Sequence, residues 1–204
     1  MFITFEGPEG SGKTSQIILL ATYLRELGYK VVETREPGGT SIGDQIREVL
    51  HDVGNGEMQA VTELLLYAAS RAQLVRELVQ PALAAGKIIL CDRYADSTLA
   101  YQGYGRGLDL DELRLLTRFA TGGLQPDFTL LLDIDVERGL ARRQGNEEEM
   151  NRLDLEAVSF HQKVRSGYHQ LVAIEPERWV VVDADRPVAV VQQELRAIVV
   201  EKLG

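Results

Sequence analysis

Eight residues near the start of the chain, Gly7-Pro8-Glu9-Gly10-Ser11-Gly12-Lys13-Thr14, have the spacing of a phosphate-binding loop. The glycines let backbone N–H groups turn inward around phosphate oxygens, where a side chain would obstruct them. A helix starting directly behind adds the positive end of its dipole. Lys13 is spaced to reach the β- and γ-phosphates, and the Thr14 hydroxyl to ligate Mg²⁺. The motif implies a nucleoside triphosphate and leaves the reaction open. A GTPase switch needs Asn-Lys-x-Asp and Asp-x-x-Gly. Neither is present, since Asn55, Asn146 and Asn151 are not followed by lysine. A regulatory ATPase adds an interaction surface or a further domain, for which little chain is left. A small-molecule kinase needs a second, acceptor site built from convergent arginines.

Two further segments supply arginines. In Thr34-Arg35-Glu36-Pro37-Gly38-Gly39-Thr40 a rigid turn can hold Arg35 over an anion. Its Glu36–Pro37 bond is open to either isomer. In Asp92-Arg93-Tyr94 an aspartate stands beside an arginine, which suits contact with a metal's water together with contact to phosphate.

For these stations to meet, each must follow a strand of one parallel sheet, whose carboxyl edge faces the ligand crevice. The pattern predicts strands over 1–5, 30–34, 88–91, 128–132 and 179–182. It predicts helices over 14–27, 41–51, 57–85 with a kink at Pro81, 111–121, 136–143, 154–173 and 187–202. Ile17, Leu20, Leu24 and Leu27 mark the apolar face of the first helix, and Gly28 can cap it. Strands separated by helices imply a doubly wound α/β sheet. The stretch from Arg142 to Arg152 is charged, includes Glu147-Glu148-Glu149, and reads as a mobile surface segment.

Composition narrows the classes. With 22 Lys+Arg against 31 Asp+Glu, the 204-residue chain carries a net charge of −9, which argues against a nucleic-acid polymer as partner. One cysteine, Cys91, excludes an intramolecular disulfide framework, and its apolar strand predicts an inert buried thiol. His51, His161 and His169 share no local metal-binding motif. No apolar stretch reaches membrane length, so a cytoplasmic protein without membrane contact is expected. One domain is expected over 1–204.

Phe5-Glu6-Gly7, the phosphate loop, the segment from Thr34 to Thr40, Leu66-Tyr67-Ala68-Ala69-Ser70-Arg71, and Asp92-Arg93-Tyr94 continuing through Ser97 to Ala100-Tyr101-Gln102-Gly103 together resemble the bacterial thymidylate kinase family. The likeness runs from Phe2 to about Asp185. It implies a phosphate-loop kinase sheet of order 2-3-1-4-5, a homodimer, and transfer of the γ-phosphoryl of ATP to dTMP with Mg²⁺. It also implies roles. Gly7 to Thr14 bind ATP, with Lys13 catalytic, and Thr14 and Asp92 serve the metal. Glu9 approaches the sugar 3′-hydroxyl and the reacting phosphates. Arg35 and Arg93 bind the acceptor phosphate, and Arg93 is counted as catalytic. Tyr67 stacks on thymine, where the family usually has phenylalanine. Arg71 bonds the base and Thr98 its edge, with Ser97 and Gln102 in the same site. Tyr101 lies under the deoxyribose, and Tyr168 resembles a tyrosine near the sugar. A lid over about 139–153 supplies a catalytic arginine from Arg142, Arg143 and Arg152, and its spacing departs from the commonest pattern. Asp133 and Asp135, which end the fourth strand, read as local caps.

The acceptor phosphate is mostly dianionic at pH 7, its second pKa being about 6, so no general base is needed. Catalysis then reduces to holding two polyanions in line and offsetting their repulsion. A deoxynucleoside kinase, whose acceptor is a hydroxyl, would need a carboxylate base and no pair of phosphate-binding arginines.

Overall fold

The computed structural model describes residues 1–144 and 151–204. Six residues of the expected lid, the acidic run Glu147-Glu148-Glu149 among them, lie outside the described residues. Five parallel strands, β1 (Phe2–Glu6), β2 (Val31–Arg35), β3 (Ile88–Asp92), β4 (Phe128–Asp133) and β5 (Trp179–Asp183), lie in the order β2-β3-β1-β4-β5. That is the expected order.

The strands alternate cleanly between two faces. Ile3 and Phe5 of β1, Ile88 and Leu90 of β3, and Phe128, Leu130 and Leu132 of β4 turn to one side. There they pack on Ile17, Leu20 and Leu24 of α1 (Lys13–Glu26) and on Val191, Leu195 and Val199 of the last helix (Val188–Leu203). On the other side Phe2, Ile89 and Cys91 meet Leu74, Val75, Val79 and Tyr94. Leu131 and Trp179 continue that face against Tyr101, Phe160 and Tyr168. Both faces of the sheet are thus covered, which explains why its central strands are almost wholly apolar.

The helices between the strands are, in chain order, α2 (Ser41–His51), α3 (Ala60–Leu74), α4 (Gln80–Ala84), α5 (Ala95–Thr98), α6 (Leu110–Thr121), α7 (Val136–Gln144) and α8 (Val158–Ile174), with the last helix as α9. The expected helix over 57–85 is divided. A 3₁₀ turn covers Val53–Asn55, α3 starts at Ala60, and Val75–Val79 is a π-turn. Pro81 has no N–H and its ring crowds the preceding turn, so the ladder widens just before it, with the Gln80 N–H donating to Val75. The helix expected from Asp154 begins at Val158, because Asp154 is spent accepting from the Asn151 N–H and from Arg143. α5 and the π-turn Leu99–Gly105 behind it are not signalled by the sequence, since Ser97, Thr98, Gly103 and Gly105 are weak helix formers.

Two glycines let α7 approach the phosphate loop. A Cβ on Gly10 would overlap the Gly139 carbonyl, and one on Gly139 would overlap the Glu9 carbonyl. Gly139→Ala should therefore separate α7 from the loop and cost about 1–3 kcal/mol, as overpacking does. Thermal melting should show a fall of several degrees together with a raised ATP KM. An unchanged melting temperature would mean that the contact is slack.

Candidate active site

The phosphate loop joins β1 to α1 through left-handed Gly10 and Gly12. Gly12 stands at the N-cap, and no side chain caps the helix there. The first N–H groups are therefore available to an anion. The Lys13 ammonium is buried and donates to the Gly7 carbonyl (3.1 Å), the Pro8 carbonyl (3.0 Å) and Ser11 Oγ (3.1 Å). Burial and the nearby Arg93 charge bring its pKa down to about 8, against the pull of Glu9, Asp92 and Glu6. Thr14 Oγ1 donates to Asp92 Oδ2 at 2.6 Å, so the two groups expected to serve a metal stand together although they are far apart in sequence.

Arg93 follows β3 with φ 68, a left-handed conformation that is uncommon for a residue with a Cβ. Its Nη1 donates to the Gly7 carbonyl (3.1 Å) and to Tyr168 Oη (3.2 Å), and its Nη2 to Glu9 Oε1 (2.8 Å). The guanidinium also stacks over the Tyr101 ring, 4.9 Å from its centroid. Tyr101 Oη donates to the same Glu9 oxygen at 2.8 Å. Burial pushes the Glu9 carboxyl upward, but Arg93 and Lys13 outweigh it and hold the pKa at about 2.

Behind this group lies Glu6, wholly buried at the end of β1. It accepts from the Tyr94 N–H (2.8 Å), Ser97 Oγ (2.6 Å) and Tyr168 Oη (2.7 Å). Burial and the Asp96 charge raise its pKa to about 7, against Arg93, Ser97 and Tyr168. Tyr168 is therefore part of the support under Arg93. The sequence offered Glu6 only as part of a motif. Its position next to the phosphate loop was the one available signal, because a charge at a buried strand end must have partners.

The turn after β2 contains a cis Glu36–Pro37 bond. Arg35 is exposed and donates to Asp44 Oδ1 at 3.2 Å. Arg71 is buried and tightly held, with Nε on Glu36 Oε2 (2.7 Å), Nη1 on Thr98 Oγ1 (2.8 Å) and Nη2 on the Tyr94 carbonyl (2.9 Å). The sequence did not single out Glu36 as its partner.

These elements surround one cleft of about 650 Å³. Its walls bring together Glu9 to Thr14, Arg35, Tyr67, Arg71, Asp92, Arg93, Ser97, Thr98, Tyr101, Gln102, Arg142 and Arg143. Gly7 and Pro8 stand behind the wall and offer carbonyls to Lys13. Arg47 and His51 of α2 also line the cleft, and the sequence assigned neither to it. Arg142 donates to the Ala184 carbonyl (3.1 Å) and Asp185 (3.2 Å), and Arg143 to Asp154 (3.1 Å). Arg152 departs from expectation. It is buried and does not line the cleft, although Asn151 and Leu153 on either side of it do; it donates to the Leu50 carbonyl at 3.2 Å and pairs with Glu63. The physical reason is Glu63 itself, a buried acid that needs cations beside it. Of the two strand-end acids, Asp135 caps α7 as expected, through the N–H groups of Glu137 and Arg138. Asp133 instead pairs with Arg165 and His169.

The family model described as thymidylate kinase matches residues 5–195. The thymidylate kinase of Roseiflexus sp. (strain RS-1) is 50% identical, over 98% of this chain and 93% of that protein. The thymidylate kinase of Thermomicrobium roseum is 54% identical, over 98% and 94%. The crystal structure of thymidylate kinase from Ehrlichia chaffeensis superposes with a TM-score of 0.79 at 35% identity, covering 98% of this chain and 97% of that one.

The Glu6 environment has a testable consequence. With a folded-state pKa near 7 and an ordinary value of 4.5, the folded chain holds a proton that the unfolded chain has released between those limits. Stability from this group is complete below about pH 4.5 and is lost as the pH rises through 7. Glu6→Gln cannot titrate, so urea midpoints at pH 5, 6 and 7 should fall less steeply than those of the parent. Parallel slopes would show that Glu6 is ionised throughout.

Proposed function

The chain belongs to the thymidylate kinase family, and we propose that its cleft carries out phosphoryl transfer from ATP to dTMP, giving ADP and dTDP, through the roles described below. The observation carrying this reading is the meeting, in one cleft, of a phosphate loop with an acceptor wall that presents Arg35 and Arg93. The α1 N-terminus and Lys13 hold the donor phosphates. Arg35 and Arg93 hold the acceptor phosphate, and its dianion attacks without a general base. Glu9 is kept ionised by Arg93 and Lys13, so it holds Arg93 and Tyr101 and takes up no proton.

Thr14 and Asp92 offer a hydroxyl and a carboxylate, hard oxygens that fit Mg²⁺, at the mouth of the loop. They would hold the ion, which when bound neutralises charge on the donor phosphates. Tyr67 and Tyr101 supply faces for the base and the sugar, with Ser97, Thr98, Arg71 and Gln102 around them. Arg142 and Arg143 line the cleft and are the lid arginines suited to the transferring phosphoryl. Arg152 serves to pair Glu63.

We further propose one phosphate-loop kinase domain over 1–204 with a lid over about 139–153, working in the cytoplasm without membrane or nucleic-acid partners. Among the described residues no helix is long and apolar enough to cross a membrane. A homodimer is supported by an apolar face that one chain leaves in water. Val61 and Leu65 of α3 and Leu115 and Phe119 of α6 are exposed, Phe119 by 78%. Solvated faces of this kind mark association surfaces.

Three outcomes follow from these roles. In a coupled ADP-release assay Lys13→Ala should lower kcat by roughly 10²–10³-fold with dTMP binding little changed, as for loss of one charge-stabilising donor. Arg35→Ala should raise the dTMP KM and spare ATP affinity by calorimetry, and the reverse pattern would put Arg35 on the donor side. Phe119→Asp should halve the mass seen by sedimentation, and a parent that sediments as a monomer would remove the dimer.

A further inference from the structure

Gln102 lies on the π-turn Leu99–Gly105 and lines the acceptor end of the cleft. Its amide nitrogen donates to Glu63 Oε1 at 2.8 Å. Glu63 stands one helical turn before Tyr67 on α3 and is wholly buried. Its carboxylate also accepts from Arg106 Nε (3.2 Å) and Nη2 (3.1 Å) and from Arg152 Nη2. Burial favours its neutral form, but the donors from Arg106, Gln102 and Arg152 outweigh burial and keep it ionised. An ionised carboxylate only accepts, so Gln102 has one satisfactory amide orientation, NH₂ toward Glu63 and carbonyl oxygen away from it. The opposite orientation would set two acceptors against each other.

Arg71 is held by another buried acid, Glu36. Its Nε and Nη2 are spent on Glu36 and the Tyr94 carbonyl, and one Nη1 hydrogen on Thr98. A second Nη1 hydrogen is left for the cleft that Arg71 lines. Two residues that line the cleft are thus left with one acceptor, on Gln102, and one donor, on Arg71; a guanidinium can only donate, and the Gln102 amide cannot exchange its ends while the Glu63 carboxylate is in place.

We propose that Glu63 is a specificity-determining residue. By fixing the Gln102 amide with its carbonyl oxygen toward the cleft, it selects a pyrimidine carrying a ring N–H beside a carbonyl, the edge of thymine and uracil. Cytosine presents the reverse, a bare ring nitrogen beside an amino group, and meets an acceptor with an acceptor and a donor with a donor. Rejection by mismatched buried polar groups is stronger than rejection by imperfect fit. Glu63 acts through Gln102 and touches no base. The proposal rests on reading the wall at Arg71, Thr98 and Gln102 as the seat of the acceptor base.

The test is kcat/KM for dTMP, dUMP and dCMP on the parent, Glu63→Gln, Gln102→Leu, and Glu63→Gln combined with Arg152→Gln. The double variant removes one buried cation with the anion and leaves Arg106 its second partner, Glu156, which guards against misfolding of the single variant. In either Glu63 variant the Gln102 amide is free to turn. The dTMP-to-dCMP ratio should then fall by about tenfold, the worth of one reversed hydrogen bond, while the dTMP-to-dUMP ratio holds because both share the imide edge. Gln102→Leu should lower dTMP and dUMP together and dCMP less. If Gln102→Leu leaves all three values at parent level, the base sits elsewhere and the site reading falls. If Gln102→Leu acts as expected but the Glu63 variants lose all three substrates equally, Glu63 is a structural anchor and the proposal is overturned. A parent that uses dCMP as well as dTMP overturns it too.

Discussion

Arg93 adopts a backbone conformation that costs about 1–3 kcal/mol for a residue with a Cβ, and the cleft is organised around keeping it there. The means lie in strand adjacency. Because β1 and β3 are neighbours, the carboxylate ending β1, Glu6, stands beside the N–H of Tyr94 just past β3. That contact fixes the turn, and Ser97 and Tyr168 brace it from α5 and α8. Arg93 then reaches across to the Gly7 carbonyl and Glu9 in the phosphate loop. The phosphate loop and the turn after β3, 84 to 86 residues apart in the chain at these contacts, are held to each other by this guanidinium together with the Thr14–Asp92 bond. In-line transfer demands this, since the reacting groups must be positioned before chemistry.

Three buried or half-buried carboxylates repeat the device. Glu9 holds Arg93, Glu36 holds Arg71, and Glu63 holds Arg106 and Arg152. A buried ion pair adds little net stability, because desolvation offsets much of the attraction. Its effect here is orientation. Each pair fixes where a planar donor group points, and a rigid array of donors is what stabilises charge that develops in a transition state. The same pairing reconciles a chain of net charge −9 with anionic substrates. Six basic side chains, Lys13, Arg35, Arg47, Arg93, Arg142 and Arg143, converge on the one cleft, which makes its local field cationic.

The sequence by itself determined the sheet, the phosphate loop and most of the cleft's membership. Apolar runs of strand length bounded by glycines and charges leave little choice of element, and α2 has the predicted bounds, 41–51. Gly7 to Thr14, Arg35, Asp92 and Arg93 were legible because each ends or closely follows a strand of a parallel sheet, and these strand ends share one edge. What only the tertiary structure decided was pairing between side chains distant in sequence. Glu6 with Tyr168, Glu36 with Arg71, and Glu63 with Arg152 are separated by 162, 35 and 89 residues. The family resemblance implies a lid arginine at Arg152, and the charged stretch that it ends reads as solvated surface. Glu63, hidden in an otherwise ordinary helix, draws Arg152 inward, since a buried charge must be met by an opposite one and no local pattern announces which.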